Sequence, residues 1–119
     1  MHILLALHNN ILHLYPFLSF LLNQDIYLYI LKCYGNNEKF YKIGITSKSD
    51  LKLRFKNNKD LPYNYEIIYF QNDNVNLICY LEKYLHRQYK KVKYSPLLYF
   101  QGCSECFTEI NNYLNLIQQ

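Results

Sequence analysis

The sequence predicts a small α/β (α+β) domain, a mostly antiparallel three-stranded sheet flanked by helices. Three observations carry that expectation. Two runs dense in β-branched and aromatic residues, Ile26 to Tyr34 and Phe40 to Thr46, are joined through the turn-forming Gly35, Asn36 and Asn37. A third such run is Tyr65 to Phe70. After it, Leu77, Ile78, Leu81 and Leu85 repeat at helical spacing. A chain of 119 residues, half of them hydrophobic, has room for one core.

Taken in order, Met1 to Asp25 stands apart as an apolar N-terminal extension before a domain over residues 26–119. It is rich in Leu and has no Lys or Arg. It lacks the basic start and small-residue cleavage site of a signal peptide. His8, Asn9, Asn10, His13 and Pro16 interrupt it, whereas a membrane helix needs about 20 mostly apolar residues. A peripheral apolar helix and a start codon set too far upstream both account for it. The first two strands, at about residues 26 to 34 and 39 to 46, should pair as a hairpin. Gly44 inside the second marks a bulge or a close approach to the backbone. Ser47 or Ser49 can cap a helix carrying Leu51, Leu53 and Phe55, closed by Asn57, Asn58 and Pro62. The third strand falls at about 64 to 71. Asp73 then caps a helix to about Tyr89. Leu97 to Phe100 reads as a short strand, and Thr108 caps a last helix bearing Ile110, Tyr113, Leu114 and Ile117.

The charge is unevenly spread. All 13 Lys and Arg lie between Lys32 and Lys93, a span with six acids, so its balance is 13 − 6 = +7 against +4 for the whole chain. A basic middle suits a polyanion, above all nucleic acid. Cys33 and Cys79 sit in apolar runs and read as small core residues. Cys103 and Cys106 form C-x-x-C without the second half-site that zinc needs, which makes them a loop pair. Free thiols imply a reducing compartment, hence an intracellular protein, in cytoplasm, nucleus or, for a viral protein, the host cell.

Five polar residues sit inside otherwise apolar elements: Tyr29, Lys42, Arg54, Glu82 and His86. The last two are four apart and share a helix face. Such a set suits phosphodiester cleavage. A carboxylate holds Mg²⁺, Arg grips phosphate, and Tyr or His moves a proton. Taken singly, each has a plainer reading: a helix-surface pair for Glu82 and His86, a core phenol for Tyr29, a solvated face for Arg54, and an edge-strand guard for Lys42.

Order and spacing add a resemblance. Tyr-Leu-Tyr-Ile-Leu at 27 to 31 and Tyr-Lys-Ile-Gly-Ile-Thr at 41 to 46 resemble the paired strand motifs of the GIY-YIG endonuclease superfamily. Leu51 to Phe55 is similar to its arginine helix and Leu81 to His86 to its glutamate helix. Gly102 to Phe107 is similar to the closing Gly-x-x-Glu-x-Phe block of a phage and large-DNA-virus branch, which is related to a meiotically up-regulated gene family of fungi. The resemblance covers about 80 residues in family order, between the motifs at 27 and 107. It implies a GIY-YIG-like fold and a DNA endonuclease using a single Mg²⁺ or Mn²⁺. By the same resemblance, Tyr29 positions the attacking water, Arg54 contacts the scissile phosphate, Glu82 ligates the ion, and His86 assists proton transfer or holds Glu82. Three departures stand out. Lys42 occupies the usual place of the second tyrosine, Tyr27 replaces a glycine, and the late asparagine has no counterpart.

The leading expectation is thus a metal-dependent nuclease acting on DNA, with Lys42, Lys48, Arg54, Lys56, Arg87 and Lys90 as nucleic-acid contacts and no small-molecule cofactor. The alternative is a non-catalytic nucleic-acid-binding module of the same fold. A third reading, membrane association through residues 1–25, rests on that segment alone.

Overall fold

The computed structural model describes residues 26–110. The N-terminal extension and the expected last helix beyond Ile110 lie outside the described residues. The strands are β1 (Ile26–Gly35), β2 (Glu38–Thr46), β3 (Asn64–Asp73) and β4 (Cys106–Phe107). They form one antiparallel sheet in the order β3-β1-β2-β4. The expected three-stranded sheet is therefore corrected to four. Two helices join it, α1 (Leu51–Arg54) and α2 (Val75–Gln88), with 3₁₀ turns at Lys90–Val92 and Cys103–Glu105.

β1 is the central strand, and its composition explains why. Leu28, Tyr29, Ile30, Leu31 and Cys33 are all buried, so both of its faces need cover. Leu28 and Ile30 pack with Ile43, Ile78, Leu85 and Phe107 on the α2 side. Tyr29, Leu31 and Cys33 pack with Phe40, Leu51, Leu61, Tyr63, Phe100 and Cys106 on the other. The β1–β2 connection is a two-residue turn in which Asn36 (φ 52°) and Asn37 (φ 58°) are both left-handed, and Gly35 pairs with Glu38 across it. Asn tolerates that conformation, and two such residues match the twist of the hairpin.

Three boundaries differ from expectation. The side chain of Asp50, not Ser47 or Ser49, caps α1 by accepting from the Lys52 N–H at 2.9 Å. Asn74, not Asp73, caps α2 through the Asn76 N–H at 2.8 Å. Asp73 is the last residue of β3, and its carboxylate accepts from the Asn74 N–H. Leu97 to Phe100 is not a strand, because its backbone donors are used elsewhere. Leu97 N–H donates to Glu38 at 3.0 Å and Leu98 N–H to the Tyr63 hydroxyl at 3.1 Å. Thr108 does not start a helix within the described residues. Its N–H bonds Val92 O at 2.8 Å.

Glu38 ties the hairpin to this loop. Besides Leu97, the hydroxyls of Tyr63 and Tyr94 and the amide of Asn36 all donate to its carboxylate. Partial desolvation works to raise the Glu38 carboxyl, but these donors outweigh it and hold it down at about 2. A carboxylate depressed in the folded state contributes stability above its ordinary value, and that contribution is lost as pH falls toward about 2. We therefore expect acid sensitivity between about pH 4.5 and 2 that Glu38→Gln abolishes. At neutral pH Glu38→Gln should lower stability by about 1 kcal/mol, a figure discounted for partial exposure. Urea melts of both proteins across that pH range measure it.

Candidate active site

The site lies at the outer edge of β2, where the short β4 stops. β4 pairs only Tyr41 with Phe107 and Lys42 with Cys106. Strand alternation puts Lys42 on the face of Phe40 and Gly44, opposite α2. Its side chain is wholly buried, at 0% exposure. Its ammonium donates to the Tyr29 hydroxyl at 2.7 Å and lies 3.4 Å from Glu105 Oε1. It also sits 4.9 Å from the centre of the Tyr29 ring and 5.9 Å from that of Phe55. Burial alone would lower the Lys42 ammonium, but Tyr29 and Glu105 outweigh it and hold it above its ordinary value. Burial raises the Tyr29 phenol against the opposing charges of Lys42 and Arg54. Near neutral pH the pair is thus an ammonium donating to a neutral phenol.

Two glycines make room for this arrangement. A Cβ at Gly44 would lie 2.4 Å from the Tyr29 hydroxyl and 3.2 Å from Glu105 Oε2. A Cβ at Gly102 would lie 2.6 Å from Glu105 Oε1 and 3.2 Å from Lys42 Nζ. Gly102 is also left-handed (φ 91°) and starts the 3₁₀ turn that folds Glu105 back over it.

From the other face, α2 brings Glu82 and His86. His86 Nε2 donates to Ile43 O at 2.9 Å, since a carbonyl only accepts. Its ring stands against Phe107, with centroids 5.3 Å apart. One donor atom from each of Glu82, His86 and Glu105 falls within 4.8 Å of the others. Burial, the Glu105 charge and a hydrogen bond shared with Glu105 push the Glu82 carboxyl up to about 7. Two carboxylates and an imidazole at that spacing are a donor set able to hold a divalent cation.

Beside this group runs a cleft of about 360 Å³, lined by Glu82, Lys83, His86, Arg87, Lys90, Lys93, Ser104 and Phe107. Four of these are cations, so carboxylates and positive charge share one concavity.

Of the residues singled out by sequence, Tyr29 and Lys42 are in direct contact. Glu82 and His86 join them at the strand edge, and Arg54, half-buried above the Phe55 ring at 4.9 Å, lies near enough to act on Tyr29. Arg87 and Lys90 line the cleft. Lys48 and Lys56 are exposed on either side of α1. Sequence reasoning left out Glu105 as a site residue, although the Gly-x-x-Glu-x-Phe block contained the signal. It also left out Lys83 and Lys93. The four cysteines are free, with Cys33 and Cys106 buried.

The small α+β domain that carries this cluster is nuclease-related by family. Residues 26–111 match the T5orf172 domain, and the chain belongs to that family, within the GIY-YIG/HNH-like nuclease-related group. Comparison with curated proteins and with solved structures gave no match. Among the described residues, no helix is long and apolar enough to cross a membrane.

The glycine requirement is directly testable. Gly44→Ala should cost about 1–3 kcal/mol, because the new Cβ overlaps the Tyr29 hydroxyl in a closely packed layer. Tyr29→Leu should recover part of that loss in the double variant, read as a positive coupling energy in denaturant melts.

Proposed function

We propose that this domain is a metal-dependent endonuclease that hydrolyses DNA phosphodiester bonds. The observation that supports this best is convergence. Tyr29 and Lys42 from one face and Glu82 and His86 from the other meet at the β2 edge, beside a cation-lined cleft, with Arg54 near enough to Tyr29 to act on its charge.

Each side chain then has a role. Glu82 holds the ion, Mg²⁺ or Mn²⁺, which supplies Lewis acidity and charge neutralisation when bound. The Tyr29 oxygen accepts from Lys42, so its own proton is left to orient the attacking water. Lys42 stabilises negative charge there at fixed geometry. Arg54 contacts the scissile phosphate, for which its planar fork is suited. His86 assists proton transfer or steadies Glu82. Arg87 and Lys90 in the cleft, with Lys48 and Lys56 flanking α1, contact neighbouring phosphates, so affinity should depend on salt more than on sequence.

A plasmid-nicking assay with and without EDTA tests the reading. Nicking should require the ion and vanish in Glu82→Gln, with fold and DNA binding kept. Arg54→Ala should lose about 10²- to 10³-fold in rate, the usual worth of one transition-state contact. Full nicking by Glu82→Gln would put the ion elsewhere. Tight, salt-sensitive binding by a wild type that never nicks would replace the enzyme with the non-catalytic module.

Raising salt fourfold should weaken duplex binding steeply. Arg87→Gln and Lys90→Gln should each reduce the slope of log affinity against log salt by about one. An affinity indifferent to salt would argue against phosphate contacts.

A further inference from the structure

We propose that the metal centre has three protein ligands, Glu82, Glu105 and His86, and that this set selects Mn²⁺ over Mg²⁺. The inference rests on the metal-dependent reading above. It goes beyond the single glutamate that the resemblance assigns.

Geometry comes first. The three side chains belong to two distant parts of the chain, yet one donor atom of each falls within 4.8 Å of the others. Glu105 is delivered by a built device. Gly102 adopts a left-handed conformation, the 3₁₀ turn Cys103–Glu105 follows, and Glu105 N–H closes it on Gly102 O at 3.0 Å. Glycine suits position 102 because φ is 91° and a Cβ there would push Glu105 Oε1 from its place. The Lys42 ammonium then holds Oε1 from below at 3.4 Å, while Oε2 turns toward the space over Gly44. Lys42 engages Oε1, and Glu105 also shares a hydrogen bond with Glu82.

Charge gives the second argument. Glu82 and Glu105 bring two carboxyls together, and among the described residues Lys42 supplies the one ammonium in ion-pair contact with them, on Glu105. A divalent ion would turn the excess negative charge into the net positive charge that a phosphate needs.

The donor types give the third. The Nε2 of His86 is committed to Ile43 O, which leaves Nδ1 as the ring nitrogen to offer an ion. The Ile43 bond fixes ring orientation, as outer partners of metal-bound histidines do. Mg²⁺ prefers oxygen ligands and retains several waters. A set of one imidazole nitrogen and two carboxylates favours a softer ion of similar size, which is Mn²⁺.

Titration calorimetry of the full chain with Mn²⁺ and with Mg²⁺, without DNA, tests this independently of cleavage. The wild type should bind Mn²⁺ at least about tenfold tighter than Mg²⁺. Glu105→Gln should weaken Mn²⁺ by about 10- to 100-fold or more, and His86→Ala should narrow the Mn²⁺/Mg²⁺ ratio toward one. Pulsed electron paramagnetic resonance of Mn²⁺ on the wild type should detect one coordinated imidazole nitrogen. Thermal melts in EDTA check folding. Should Glu105→Gln not fold, Glu105→Asp, which keeps the charge toward Lys42 and withdraws the oxygens by one carbon, should weaken Mn²⁺ in the same titration. Unchanged Mn²⁺ affinity in the folded Glu105 variant, or no nitrogen coupling, overturns the three-ligand site. If Glu82→Gln alone loses the ion, the single-glutamate centre survives without this inference. If Glu82→Gln also binds normally, both readings fall.

Discussion

A lysine buried to 0% exposure governs the rest of this structure. An ammonium in an apolar layer is very costly unless paired and hydrogen-bonded. Lys42 is satisfied by three kinds of contact: the Tyr29 hydroxyl, the Glu105 carboxylate, and the faces of the Tyr29 and Phe55 rings. Each partner imposes a condition elsewhere. Tyr29 reaches the ammonium only because Gly44 has no side chain, and Glu105 reaches it only because Gly102 has none. Positions 29, 42, 44, 102 and 105 therefore form one interdependent unit, spread over β1, β2 and the segment leading into β4. The loop before that segment is fixed in turn by Glu38, whose carboxylate gathers donors from three parts of the chain.

The brevity of β4 turns this unit into a site. A longer fourth strand would cover the whole outer edge of β2. With only Tyr41 and Lys42 paired to it, the edge from Ile43 onward is open. His86 takes the Ile43 carbonyl, which anchors α2 over that opening and brings Glu82 round to Glu105. The two faces of the sheet, each with its own apolar cluster, thus contribute to one polar edge. Arg87 occupies the last turn of α2, where its positive charge suits the helix dipole, and Lys90 and Lys93 continue the row into the cleft.

Much of this was legible in the sequence because it follows from short-range periodicity. The hairpin was written in Gly35-Asn36-Asn37 between two apolar runs, and α2 in Leu77, Ile78, Leu81 and Leu85. Lys42 was legible as a polar residue inside an apolar strand, though not as one buried to 0% exposure. What could not be read depends on pairing across long separations. A two-residue strand such as Cys106–Phe107 has no period of its own. Leu97 to Phe100 looked like a strand because it is apolar, but its N–H groups are claimed by Glu38 and by Tyr63, far back in the chain. Glu105 stood in a recognisable block. Its partnership with Lys42, 63 positions earlier, exists only once the loop is closed. The cap of α1 was missed more simply: Asp50 competes with Ser47 and Ser49 as an acceptor and stands nearest the first turn.

Lysine in place of a second tyrosine alters what the cluster can do. A phenol at position 42 would face the same layer, but it would bring no charge to hold Glu105. The ammonium brings a fixed positive charge that pairs with one of the two neighbouring carboxyls. It also donates to Tyr29, while burial keeps that phenol neutral near physiological pH. Under the proposed function, Tyr29 therefore acts by orienting a water and not by removing its proton as a tyrosinate. Deprotonation of the water then has to come from the lowered acidity threshold of an ion-bound water, from His86, or from the substrate phosphate. The departure at position 42 and the second carboxylate at position 105 are thus linked. Once the lysine is buried here, a nearby carboxylate is needed to pair it, and under the proposed function a second one beside that carboxylate completes a donor set for a metal ion.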